Sequence, residues 1–483
     1  MIKLPRHAEG ETNIKQSSEN KLSLSGSVSL GTGVMIGAGI FVLMGQIAEL
    51  VGGAFPLAFL AGAVVVSFSA YSYVKFSNTY PSSGGIAMFM RKAYGPGTMA
   101  GTYSLLMYVS MVIAESLVAR TFGSYTLRLF NVENTALMAP ALGVLLIVAA
   151  YTINISGNTI ISRTAKMTAI IKITGIAVLA IAGLAVAGLP SPESLLDFSS
   201  GQGGAAYEAF DFIAALALSI LAFKGFTTIT NQGDDIVDPH HNLGRSIILS
   251  IIICTVIYSL LSLSVSSSLS VEEIIASKDY ALAAAAKPVF GDAGLLFTVL
   301  LAIVATVSGL IASVFSASRM LAMLSRMKQL PRLPRRFDNP ALLLTVALAI
   351  ALTVLFDLTR IAAIGAIFYL IMDIAIHWGL FHHLKKEVKA LPAIPVIAIL
   401  LDVIVLTAFM LLKLQRDPLV LIVSLAGFVI ILVAQRLFMI THTDSNGIMH
   451  MEMDDGMEMK DGMDMDGNAK KPESMDKDKM DMG

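Results

Sequence analysis

The chain has 483 residues, 55% of them hydrophobic and 14% charged, with a net charge of -1 and a positive mean hydropathy. That composition excludes an ordinary soluble enzyme and places the chain among polytopic all-α membrane proteins embedded in the lipid bilayer. The net charge says little about partners, and no nucleic-acid partner is expected. The single cysteine, Cys254, lies in an apolar run, so no disulfide framework or cysteine metal cluster can form within one chain.

Residues 1–26 are polar and mixed in charge, without the apolar core and cleavage site of a secretory signal, so insertion is expected to start at the first span. Apolar runs of about 20 residues predict spans near 27–50, 55–76, 99–129, 136–155, 163–188, 209–232, 245–267, 293–322, 340–357, 360–382, 393–413 and 418–438, twelve in all. Lys75, Arg91 and Lys92 fall between spans two and three, Arg163 and Lys166 open span five, and Arg319, Arg326, Lys328, Arg332, Arg335 and Arg336 fall between spans eight and nine. With Lys385, Lys386 and Lys389 after span ten, these basic residues mark one parity of connections as cytoplasmic. Both termini are then expected inside a cell, with the chain in the plasma membrane. The connections 189–208 and 268–292 read as outer loops, the second with room for a short surface helix.

The first span contains Gly31-Thr32-Gly33-Val34-Met35-Ile36-Gly37-Ala38-Gly39-Ile40-Phe41. Four glycines in one run predict a broken helix, and a break within hydrocarbon requires that the freed peptide groups face protein, water or a ligand. Glycine also serves close helix packing in membranes. A dinucleotide-binding fingerprint is excluded, because its third glycine would stand at Ile36 and no soluble strand precedes the run. Span six repeats the feature in Ala222-Phe223-Lys224-Gly225-Phe226. Two interrupted spans five apart point to an inverted-repeat transporter with its substrate between them. Exposed N–H groups there suit a carboxylate and freed carbonyls suit an ammonium, so a zwitterion satisfies both.

Further motifs accompany these breaks: Tyr80-Pro81-Ser82-Ser83-Gly84-Gly85, then Arg91-Lys92-Ala93-Tyr94-Gly95-Pro96, Asn154 with Gly157, and Ser318-Arg319-Met320-Leu321-Ala322-Met323 with Leu330-Pro331. Together with Gly33-x-x-Ile36-Gly37-Ala38-Gly39-Ile40-Phe41 they resemble the amino acid–polyamine–organocation (APC) superfamily, the amino acid permeases of LeuT-type fold. The resemblance covers spans one to eight. It implies five plus five spans in inverted repeat, about 27–188 and 209–382, with discontinuous spans one and six and two more helices at about 393–438. It also implies alternating access, with an amino acid or related amine held by Ile36, Gly37, Ala38, Gly39, Ile40, Phe223, Lys224 and Gly225. Thr227 stands where the family often has an acid, and Lys224 where it usually has a small or neutral residue.

The resemblance matches Lys172 with a lysine that some members carry where sodium-coupled relatives bind a cation, and places Ser308 and Ser313 in the region of coupling hydroxyls. Lys172 is thus the expected carrier of the coupling ion, H+, since a buried ammonium can be emptied and refilled with protons; snorkelling to the headgroups is the plainer reading. Lys224 requires a counter-charge, and the LeuT-type arrangement puts Glu115 in span three and Asp373 in span ten within its reach. Asp373 and His377, four apart on span ten, share a helix face. They suit a proton relay or a hydrogen-bonded contact better than a metal site. Asp402 in span eleven reads as a packing or dimer-contact residue. In Asp234-Asp235-Ile236-Val237-Asp238-Pro239-His240-His241, Pro239 is expected to end the helix before a solvated loop that Arg245 balances.

Residues 441–483 are rich in Met, Asp, Gly and Lys and read as a disordered tail. Thioethers suit Cu(I), and Met449, Met451, Met453, Met457 and Met459 are the candidate ligands. The leading reading is a secondary active transporter of amino acids or amines, proton-coupled, with no organic cofactor. The alternative is a copper-responsive membrane protein that uses the tail. No catalytic motif with ordered spacing appears, so an enzyme is not expected. Substrate and oligomeric state are not legible.

Overall fold

In the computed structural model, residues 21–130, 135–155, 158–198, 205–331, 336 and 339–442 are described, by backbone alone at Ala38, Thr135, 158–166, 205–208 and His442. All regular structure among them is helical, and a lone bridge between Leu22 and Ile236 forms no strand. Of the expected tail, Thr441 and His442 are helical rather than disordered, ending the last helix; residues 443–483 with their methionines, and Gly157, lie outside the described residues. Residues up to Met439 form one unit; of the second, Ile440–Gly483, only the last turn of a helix is described.

The elements are α1 (Leu24–Ala38), α2 (Ile40–Val51), α3 (Phe55–Thr79), α4 (Gly85–Tyr94), α5 (Thr98–Arg128), α6 (Thr135–Ile155), α7 (Asn158–Ala187), α8 (Pro192–Leu195) and α9 (Ala205–Phe223). A 3₁₀ turn at Lys224–Phe226 leads to α10 (Thr227–Thr230), α11 (Pro239–Ser268), α12 (Val271–Ala276), α13 (Ala281–Arg326), α14 (Pro340–Leu355), α15 (Leu358–Gly379), α16 (Ala393–Arg416) and α17 (Pro418–His442). Among the described residues ten helical runs are long and apolar enough to cross a membrane by length and composition, one of them (Ile40–Thr79) covering both α2 and α3. Leu24–Gly37 and Pro340–Leu355 are shorter apolar helices.

Local chemistry sets several boundaries. Proline stands in the first turn of α3, α8, α11 and α14, where its missing N–H costs nothing. Ser270 and Glu273 close a capping box on α12, and Asp357 accepts the Arg360 N–H at 2.9 Å to cap α15. Gly291, at φ 67°, breaks α13 near its start. Pro239 does not end the helix before it: it opens α11, because its fixed φ suits a first turn and Asp238 takes the left-handed conformation ahead of it. The connection 268–292 is largely helical, and Arg91 and Lys92 lie in the last turn of α4, where the helix dipole favours cations.

The bundle reverses the soluble pattern on its flanks. Leu400, Val403, Ile404, Leu411 and Leu414 on α16, and Ile422, Leu425, Ile430 and Val433 on α17, stand exposed, as expected for surfaces that meet lipid. The interior packs α1 against α7, α11 and α13, and α5 against α13 and α15; α3, α9, α15 and α16 form a further group in mutual contact.

Glycine lets the central segments touch. A Cβ on Gly37 would lie 2.7 Å from the Ala305 carbonyl oxygen, and one on Gly39 2.5 Å from that of Ala222. A Cβ on Gly225 would lie 2.5 Å from the Met35 nitrogen, so the two glycine-bearing segments meet backbone to backbone. Overpacking of this kind costs about 1–3 kcal/mol. Gly37→Ala and Gly225→Ala should each lower the thermal midpoint of the purified protein, whereas Gly97→Ala, which meets open space, should leave it in place; equal midpoints for all three would refute the close-packing account.

Candidate functional site

Both expected interruptions are present and narrower than a full gap. Between α1 and α2 the helix bends at Gly39 (φ −87°, ψ −77°) while its ladder continues, the Gly39 N–H reaching the Met35 carbonyl at 2.7 Å and the Leu43 N–H reaching that of Gly39 at 3.0 Å. In the second segment the α-helix tightens for one turn at Lys224–Phe226. The carbonyls displaced there are met by threonine hydroxyls: Thr227 donates to the Lys224 carbonyl at 2.8 Å and Thr228 to that of Gly225 at 2.7 Å. The buried Tyr258 hydroxyl on α11 joins the two breaks, with the Met35 carbonyl at 2.7 Å and the Ala222 carbonyl at 3.2 Å. Buried backbone acceptors thereby keep partners inside an apolar layer.

Beside this junction is a narrow cavity lined by Val34 of α1, Met111, Ala114 and Leu117 of α5, Leu221, Lys224, Gly225, Thr227 and Thr228 around the tight turn, Ser313 of α13 and Tyr369 of α15. Lys224 and Gly225 were sequence candidates for this place, whereas Ser313, expected beside Ser308 at the coupling site, lines the cavity instead. The α5 side chains and Tyr369 were not, since nothing in a buried helix's composition tells which face borders a void. Ile36, Gly37, Gly39, Ile40 and Phe223 are in helix contacts: the three large side chains are buried, and the Phe223 ring packs 5.0 Å from that of Tyr258. For Ala38 only the backbone is described.

The counter-charge of Lys224 is Asp373, not Glu115. The ammonium and carboxylate pair directly, both essentially without solvent exposure. The Ser69 hydroxyl lies 3.1 Å from Lys224 Nζ and 3.0 Å from Asp373 Oδ2, and the Tyr73 hydroxyl donates to Asp373 Oδ1 at 2.5 Å. Glu115 is equally buried, and neither carboxylate oxygen has a hydrogen-bond partner among the described residues. Asp402, expected at a packing or dimer contact, is buried within the bundle, its Oδ2 3.3 Å from His377 Nε2. Donor atoms of Asp373, His377 and Asp402 lie within 4.8 Å of one another. The Lys224 ammonium already occupies the cation's place on Asp373 and would repel a divalent ion, so no metal is assigned.

Lys172 of α7 does not snorkel. It is buried, with Nζ donating to the Gly33 carbonyl at 3.0 Å and to Ser308 Oγ at 2.9 Å. Among the described residues no carboxylate lies within ion-pair distance of it. Asn154 ties α6 to α13, its amide donating to the Ile311 carbonyl at 3.3 Å.

The segments flanking the breaks are also tied. Arg319 pairs with Asp235 and reaches Ser83 Oγ at 3.2 Å, while the Ser83 N–H donates to Asp234 at 3.0 Å. Ser27 donates to Gln232 at 2.8 Å. The paired histidines serve separate partners: His240 contacts the Asn78 carbonyl at 2.8 Å and His241 the Asp238 carboxylate at 3.0 Å.

A family model described as an amino acid permease matches residues 22–444, which takes in every described helix. The chain belongs to the amino acid permease family. This permease is 27% identical over 379 residues to the inner membrane transport protein YbaT of Escherichia coli, covering 77% of the chain and 85% of that protein. It is 28% identical over 396 residues to an uncharacterised protein of Methanocaldococcus jannaschii, covering 79% and 88%. It is 22% identical over 392 residues to the serine/threonine exchanger SteT of Bacillus subtilis, covering 77% and 86%. Among the motifs that carried the resemblance, the glycine run bends at Gly39, Gly225 lines the cavity, and Ser83 and Arg319 belong to the flanking ties.

Breaking a buried ion pair by removing one partner costs about 3–5 kcal/mol, while replacing both with apolar groups is often close to neutral. Asp373→Ala should therefore lower the thermal midpoint of the permease well below that of the double variant Lys224→Leu/Asp373→Leu. If the double variant is the less stable of the two, Lys224 is not held by Asp373.

Proposed function

We propose that the chain is a secondary active transporter that moves amino acids or related amines across the plasma membrane by alternating access, coupled to protons at Lys172. Membership of the permease family supports transport of a small molecule across a membrane. Relatives bear the names serine/threonine exchanger, large neutral amino acids transporter small subunit 2 (Mus musculus) and methylthioribose transporter (Bacillus subtilis). A small amino acid fits this range of cargo and the cavity's lining, which mixes apolar side chains with the hydroxyls of Thr227, Thr228, Ser313 and Tyr369. Ile36, Gly37, Ala38, Gly39, Ile40 and Phe223 belong to the proposed binding region by way of the backbone at the two breaks. In this conformation the cavity is narrow, so loading requires the segments around it to separate.

The proposed topology has twelve spans, formed by α1 with α2, then α3, α5, α6, α7, α9 with α10, α11, α13, α14, α15, α16 and α17. The bend at Gly39 and the turn at Lys224–Phe226 occupy spans one and six, the corresponding places of a five-plus-five inverted repeat. Both termini are then cytoplasmic, on the side of the basic connections.

The observation that carries proton coupling is the seat of Lys172. Its ammonium bridges a carbonyl of the broken span and a hydroxyl of α13, with no carboxylate within ion-pair distance among the described residues to fix its charge. Losing a proton there leaves a neutral amine whose hold on Gly33 and Ser308 is weaker, since its hydrogen bonds are no longer charge-assisted. Proton occupancy thereby acts on the segment that borders the cavity. The deciding measurement is uptake of labelled amino acids and polyamines into proteoliposomes with and without an inward proton gradient. Wild type should accumulate substrate only with the gradient. Lys172→Ala should lose at least tenfold of gradient-driven accumulation while retaining exchange of substrate for substrate, and undiminished accumulation by this variant would overturn the proposal.

A further inference from the structure

The group formed by α3, the Lys224 turn, α15 and α16 contains a second set of buried ionisable side chains that neither substrate binding nor Lys172 uses. His377 and Asp402 are completely buried. His377 Nδ1 lies 2.8 Å from Ser72 Oγ and Nε2 faces Asp402 Oδ2 at 3.3 Å. Among the described residues Nε2 and both oxygens of Asp402 have no hydrogen-bond partner, their mutual approach included. A fully buried acid and imidazole that face each other alone are poor structural cement, since an apolar pair of similar size would hold two helices as well.

Charge counting restricts what this pair can hold. The adjacent Lys224 and Asp373 neutralise each other. His377 and Asp402 are then neutral only when they share one proton beyond the imidazole's own N–H, either as a carboxylic acid donating to Nε2 or as an imidazolium facing a carboxylate. Moving that proton between Oδ2 and Nε2 leaves the net charge at zero. Adding one more produces an imidazolium beside a neutral acid, a cation within 4.8 Å of the Asp373 donor atoms that competes with Lys224. Removing the shared proton leaves a second bare anion next to Asp373.

The facing groups on each packed element are few. Tyr73, Ser69 and Ser72 come from α3, Lys224 from the tight turn, and Asp373 and Tyr369 from α15. The other charged residues of these helices are engaged elsewhere: Arg416 with Asp211 at 2.6 Å, Lys413 over the Phe409 ring, and Lys75 with the Lys389 carbonyl at 3.1 Å. Beyond α15, His382 stacks on Trp378 and His383 meets Tyr94 edge-on.

We propose that His377 and Asp402 form a proton-binding site, separate from Lys172, whose occupancy sets how firmly Asp373 holds Lys224 at the wall of the cavity. Protonation above the neutral state loosens the Lys224–Asp373 pair and lets the ammonium turn toward the cavity it already lines. The site therefore links an acid outside the cavity, on α16, to the lysine at its edge. Its consequence for transport rests on the reading of the chain as a transporter; its existence as a proton site does not.

The test uses the full-length purified protein. Thermal midpoints of wild type, Asp402→Asn, His377→Gln and Asp402→Glu are measured against pH. Wild type should pass through a maximum and fall on either side as the pair gains or loses its proton. Asp402→Asn and His377→Gln should each remove the same one-proton feature, and Asp402→Glu should retain it. In proteoliposomes the apparent KM of wild type should change by up to about tenfold per pH unit across that feature and stay flat in the two polar variants. Wild-type and variant midpoint curves that run parallel at all pH values would make the pair purely structural and overturn the proposal. A midpoint raised by Zn2+ or Mn2+ in wild type alone would replace the proton with a metal ion and also overturn it. Should the polar variants fail to fold, His377→Leu/Asp402→Leu, which a structural contact tolerates, carries the same comparison, and a retained one-proton feature there refutes the site. If no labelled amine or amino acid is taken up, the transporter reading fails while the midpoint arm still decides this one.

Discussion

The organisation of the bundle depends on one constraint: a helix cannot break inside an apolar layer unless its loosened carbonyls find donors. The Tyr258 hydroxyl stands between the two interrupted helices, 2.7 Å from the Met35 carbonyl, which also accepts the Gly39 N–H, and 3.2 Å from the Ala222 carbonyl. Glycine at 39 and 225 is what allows the two backbones to approach closely enough to share that hydroxyl. Threonines 227 and 228 satisfy the carbonyls of the tight turn in the same way. The result is a junction where two helices meet through main-chain atoms and a third supplies a tyrosine hydroxyl, with side chains lining the space beside it.

The two buried lysines have different electrostatic status for the same reason of placement. Lys224, on the turn, reaches α15 and finds a carboxylate with two supporting hydroxyls. Lys172, on α7, meets only neutral oxygen atoms. One is a fixed charge held by a network, the other a charge stabilised by dipoles alone.

Much of this arrangement was legible in the residues. Apolar run lengths located the helices to within a few positions, because hydrocarbon thickness fixes how many apolar residues a span requires. The glycine runs located both interruptions, and the spacing of Asp373 and His377 put them on one helix face. What sequence could not decide was choice among partners. Glu115 and Asp373 are both acids in spans that approach Lys224, and only packing between helices distant in the chain selected one. Asp402 was expected at a packing or dimer contact, and its side chain packs inward on His377; which partner it meets was not legible, because that depends on how two helices pack. Pro239 was read as a stop, although proline marks a helix start equally well and only the left-handed Asp238 before it distinguishes the two. The helical content of residues 271–290 was underestimated because its short segments carry acidic and small residues that read as loop.

Cys254 gives the molecule a built-in reporter. It is the chain's single cysteine, sits on α11 and is fully buried where that helix packs on α7 and α1. A thiol in that position is inert toward water-soluble reagents as long as those helices stay together. Single cysteines for spectroscopic labels can therefore be introduced at the surface of the native sequence without first removing this one. Alkylation of Cys254 itself would in turn time the moments when α11 parts from its neighbours, a clock for opening that requires no engineered probe.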